Sequence, residues 1–115
     1  MGDAKLHGLA EARSLAYHRA IAERIRREPA LIESVAARLR REAAGDDLHR
    51  RYWAEAWLAV LGRPLEACLA FLTDPGERAT EMRQSTPFAG LLPPKERWAL
   101  HKAVREEWQR AGRLP

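Results

Sequence analysis

Proline and glycine cut this sequence into segments, and between the cuts the apolar residues return every three or four positions, the period of a helix with one buried face. From Asp3 to Glu28 the stripe is Leu6, Ala10, Tyr17, Ile21 and Ile25, with Arg13, Arg24 and Arg27 off it. Pro29 ends that helix and suits the first position of the next, which runs to about Ala44, buries Leu31, Ile32, Val35 and Leu39, and stops at Gly45. Asp46 or Asp47 caps a third helix to about Leu61, placing Leu48, Tyr52, Trp53, Ala56, Trp57 and Val60 on one broad face. Gly62 and Pro64 repeat the stop and restart, giving a short helix from Pro64 to Thr73 that offers Leu65, Cys68, Leu69 and Leu72 to the core. Asp74, Pro75 and Glu77 read as a capping-box start for a fifth helix to about Gln84. Ser85 to Pro94 carries no charge and three prolines, so it is neither helix nor central strand. A last helix from about Pro94 to Ala111, closed by Gly112, places Trp98, His101, Val104 and Trp108 near one face.

Composition agrees with the period. Ala and Leu supply 21 and 15 residues, while Ile, Val and Thr together supply nine, which excludes an all-β fold. The expected fold is all-α, a compact orthogonal bundle of five or six short helices forming a single domain over residues 1–115. Beyond the 21 Ala, only 32 apolar residues remain to bury real area. A core this thin, with four Trp and 31% charged residues, suits a chain that reserves apolar surface for a protein partner. No run of eighteen apolar residues and no basic-then-apolar N-terminus occurs, so neither a membrane span nor a signal peptide is expected, and the location expected is cytoplasmic. Cys68, on the apolar side of its helix, reads as an inert buried thiol.

The chemistry of common active sites is missing. There is no Gly-rich phosphate cradle, no helical His pair flanking a Glu and no Gly-x-Ser-x-Gly elbow, so neither an enzyme nor a bound cofactor is expected. His7, Glu11 and His18 share a narrow helical sector, but three aligned polar residues fall short of a structural metal site, and no metal is expected. Arg24, Arg26 and Arg27, with Arg38, Arg40 and Arg41, could grip a phosphate backbone, yet Glu23, Glu28 and Glu42 are spaced to pair with them as on any solvated helix face. The fourth helix, the Thr73–Gly76 turn and the fifth helix have a helix-turn-helix outline, with Glu77 and Glu81 where phosphates would have to sit. Trp53 and Trp57 lie one turn apart, as do Val104 and Trp108, and such stripes are ordinary core features. Arg97 beside Trp98, and Arg105 near Trp108, are also the pairings that anchor interfaces.

The block Met82–Trp98, reading Arg-Gln-Ser-Thr-Pro-Phe-Ala-Gly and then Pro-Lys-Glu-Arg-Trp, resembles the C-terminal block of a group of small bacterial helical proteins associated with the antitoxin side of toxin–antitoxin operons. The resemblance extends more loosely through the Glu28–Pro29 break, Tyr52, Trp53 and Trp57, and Leu69 to Thr73. It departs from the group at Leu92-Pro93-Pro94, where a Ser or Thr cap usually precedes the proline, and in the tail after Trp108. Two readings of the block stand side by side. In one, Phe88, Leu91 and Leu92 plug the bundle, and Arg83 with Glu96 or Arg97 ties the loop by ion pairs. In the other, Arg83, Gln84, Phe88, Leu91, Leu92, Arg97, Trp98, Arg105 and Trp108 contact a partner, with Phe88 and Trp98 as anchors. The resemblance implies direct neutralisation of a co-expressed toxin enzyme, one that cleaves RNA or transfers a nucleotide. The alternatives are a homodimeric helix-turn-helix regulator that binds operator DNA and a purely architectural helical subunit.

Overall fold

The computed structural model describes residues 2–114, with side chains from residue 8 onward. Among the described residues there are six helices and no strand: α1 (Gly2–Arg27), α2 (Ala30–Ala43), α3 (Leu48–Leu61), α4 (Leu65–Leu72), α5 (Glu77–Arg83) and α6 (Pro94–Arg110). The expected all-α bundle is the fold, although α1 is not short: 26 residues at 1.5 Å rise span about 39 Å of a molecule measuring 45 × 32 × 24 Å. None of the helices is long and apolar enough to cross a membrane.

The helix ends follow local chemistry. Asp47 caps α3, its carboxylate accepting the Arg50 amide at 3.1 Å, and the carboxyl is held below its ordinary pKa mainly by that hydrogen bond. Asp74 does not cap α5. Its Oδ1 accepts the Gly76 amide at 2.7 Å, a local turn that delays the helix to Glu77 with Gly76 at the cap position. The last helix begins at Pro94 with no side-chain cap, and ends in a Schellman turn: Arg113 N–H donates to Trp108 O at 2.9 Å and Gly112 N–H to Gln109 O at 3.1 Å.

One apolar cluster joins α1 to α5 and the 85–93 loop. Tyr17, Ile21 and Ile25 from α1 meet Val35 and Leu39 from α2, Trp57 and Val60 from α3, Cys68, Leu69 and Leu72 from α4, and Met82 from α5. The Trp57 ring stands edge-on to Phe71 at 6.0 Å and to Phe88 at 5.6 Å. Cys68 is fully buried, and burial pushes its thiol pKa up, away from reactivity. The broad face expected of α3 is narrower than its apolar residues suggest. At 100° per residue, Leu48 lies about 180° and Tyr52 about 140° from Trp57, so both stand in solvent.

The outermost element is α6. It has no buried residue and rests along α1, and of its side chains only Leu100 joins the main cluster.

Candidate functional site

A buried loop must find donors for its carbonyls, because each one left without a partner costs about 1–3 kcal/mol. The 85–93 loop meets this demand with long side chains from α1 and α2. Phe88 O accepts both the Tyr17 hydroxyl at 2.6 Å and the Leu91 amide at 3.2 Å. Arg24 donates to Leu91 O at 2.6 Å, and Arg38 donates to Pro87 O. Gly90, at φ +87°, completes the turn that brings the Leu91 amide back onto Phe88 O.

His18 is the loop's polar centre. Its Nδ1 lies 2.7 Å from Ser14 O, which can only accept, so Nδ1 carries the proton. Nε2 then accepts from the Thr86 hydroxyl at 2.8 Å, while Thr86 Oγ1 accepts the Phe88 amide at 3.1 Å. Both ring nitrogens are committed to a neutral imidazole. Burial lowers the pKa to about 4, and the Arg83 charge adds to that effect. This side chain is therefore not turned outward as a metal ligand; His7, the other histidine of that sector, lies outside the residues whose side chains are described.

These contacts divide the sequence-derived partner residues into two sets. Arg83, Phe88 and Leu92 are buried, Phe88 completely, and belong to the architecture and not to a docking surface. Arg83 makes no ion pair with the last helix. Its guanidinium donates to Leu72 O at 3.2 Å, Asp74 O at 2.7 Å and Thr80 Oγ1 at 3.1 Å, fastening the α4–α5 turn. Leu91 is half-buried against the core, and Gln84 is exposed at the end of α5. The others, Arg97, Trp98, Arg105 and Trp108, all stand on α6.

Around α6 the angles separate them again. Leu100, His101, Val104 and Trp108 form the half-buried side toward α1, and Arg97 lies about 20° from Val104 on that side. Trp98 is about 120° from Val104 and does not share that face; it is 66% exposed. Trp98, Lys102 and Arg105 follow one another at i, i+4 and i+7 on the outer face, with the Lys102 ammonium 5.4 Å from the Trp98 ring. The cation over Trp108 is Arg113, at 5.3 Å, and not Arg105. Trp108 instead packs on Gly8, where an added Cβ would lie 2.8 Å from the ring.

Sequence reasoning missed Tyr17, His18, Arg24 and Arg38 as the loop's anchors. The available signal was the loop itself, ten uncharged residues whose carbonyls require donors from elsewhere in the chain.

Elsewhere on the surface, several basic residues are engaged with acids of the same chain. Arg26 pairs with Glu23 at 2.5 Å and Glu66 at 3.2 Å, Arg24 with Glu28 at 4.0 Å, and Arg40 with Glu33 at 2.8 Å. The exposed residues of α5 are Glu77, Arg78 and Glu81, with Arg78 paired to Glu81, a poor surface to set against phosphates. A scan against protein-family models, a search of curated proteins and a search of solved structures found no match to this chain.

Proposed function

We propose that this chain is a binding protein of the antitoxin type, which neutralises a co-expressed toxin enzyme by direct contact through the outer face of α6. The observation that carries the reading is a 17-residue helix with no buried side chain whose outer face sets the exposed Trp98 beside Lys102 and Arg105. The inner side of that helix packs on α1, but nothing in the core requires its outer face, whose sequence is free to serve a partner. An exposed indole flanked by cations is the chemistry of an interface anchor facing an acidic surface. The toxin assignment rests on the resemblance of the Met82–Trp98 block, in which Arg97-Trp98 closes the motif at the start of this helix.

Co-expression of the chain with its neighbouring genes, followed by nuclease treatment, affinity purification and native mass spectrometry, tests the proposal. A stoichiometric protein partner that arrests growth when expressed alone supports it, provided the complex is lost in the Trp98→Ala variant. Recovery of the chain only as a monomer or homodimer rejects it.

A further inference from the structure

Between α1, the 85–93 loop and α6 lies a cleft of about 350 Å³ whose polar lining is Arg13, Ser14, Tyr17, Thr86, Arg97 and His101. Among the described residues no carboxylate lines it. The Tyr17 hydroxyl is committed to Phe88 O, and the Thr86 hydroxyl is committed to His18. What is left over is donors: two guanidinium groups, an imidazole and the Ser14 hydroxyl. None of the three basic groups has a hydrogen bond or ion pair among the described residues, and Arg13 Nε is shielded from solvent with nothing to donate to. Two guanidinium groups beside a histidine, with no carboxylate among the lining residues, give the cleft a positive charge that an anion would balance.

We infer that this cleft is an oxyanion site that takes a phosphoryl group, free or carried by a small monoester, between Arg13, Arg97 and His101. A phosphoryl group offers several acceptor oxygens and close to two negative charges, which match two guanidinium forks and an imidazole better than a single carboxylate does. The cleft is roomier than the phosphoryl group alone requires, leaving space for an organic substituent. His101 reports on occupancy. Its pKa is lowered, first by burial and then by Arg13 and Arg97; among the described residues the other titratable group lining the cleft is Tyr17, and the loop supplies none. A bound phosphoryl group reverses the sign of the local charge and raises that pKa. Such a site stands whether or not the outer face of α6 docks a partner.

Calorimetric titration of the full chain with inorganic phosphate and with phenyl phosphate, at ionic strength fixed with chloride, tests the inference. Saturable one-to-one binding is expected, weakened about ten- to hundredfold in Arg97→Gln, the worth of one charge-assisted hydrogen bond. Arg110→Gln on the same helix leaves it unchanged, and the His101 imidazole titrates at higher pH with the probe bound. Tighter binding of phenyl phosphate identifies the monoester as the ligand class, and equal binding identifies free phosphate. Should Arg13→Gln fail to fold, the exposed Arg97 position still decides the matter. No saturable binding of either probe, or equal weakening by Arg97→Gln and Arg110→Gln, overturns it.

Discussion

His18 makes the stability of this protein depend on pH. The unfolded chain takes up a proton near pH 6.5, whereas the folded imidazole resists protonation until about pH 4. Between those values the unfolded state binds more protons, so stability rises with pH; the contribution is complete above about pH 6.5 and is lost as pH falls through about 4. The window corresponds to about 3 kcal/mol, which denaturant unfolding between pH 4 and pH 7.5 will read as a slope that His18→Gln removes. Phe88 and Gly90 make different demands on the same loop. Phe88→Ala leaves a cavity beside Trp57 and should cost about 3–5 kcal/mol. At Gly90 an added Cβ meets nothing within 4 Å, so Gly90→Ala should cost only the strain of a positive φ, roughly 1–2 kcal/mol. Urea midpoints of the two variants check that order.

Among the elements, α6 is held differently at its two ends. Toward its C-terminus Trp108 closes on Gly8 of α1 with no space for a methyl group, while near its N-terminus Trp98 faces solvent. Gly8→Ala gains up to about 1 kcal/mol of helix propensity but drives its Cβ into the Trp108 ring. The two changes should therefore couple: Gly8→Ala destabilises the native protein and stabilises the Trp108→Ala variant, a sign reversal that a double-mutant cycle measures directly. Trp98→Ala should leave stability within about 0.5 kcal/mol, as exposed substitutions do, and weaken the partner complex by at least ~2 kcal/mol, about thirtyfold. Loss of folding in Trp98→Ala would instead place that indole in the architecture.

At the scale of the whole molecule, the helices were legible in the sequence and their long-range fastenings were not. Pro29, Gly62, Pro64 and Pro94 punctuate the chain by fixing or freeing the local backbone, so the helix limits fall within a residue or two of the positions their chemistry dictates. Faces were less legible: Leu48, Tyr52 and Trp98 are apolar residues that the helical angle turns away from the core. The candidate site was half visible. Its loop stands out as an uncharged proline-rich block, but Tyr17, Arg24 and Arg38 reach it across 71, 67 and 49 positions, and such pairings have no period to read. The molecule that results has a locked loop and a spare helix. Native-state hydrogen exchange tests that division most directly. The Phe88 and Leu91 amides should exchange only with global unfolding, as slowly as those of α3, while the α6 amides open at a distinctly lower free energy. Fast exchange at Phe88 and Leu91, or α6 protected as strongly as α3, would contradict it.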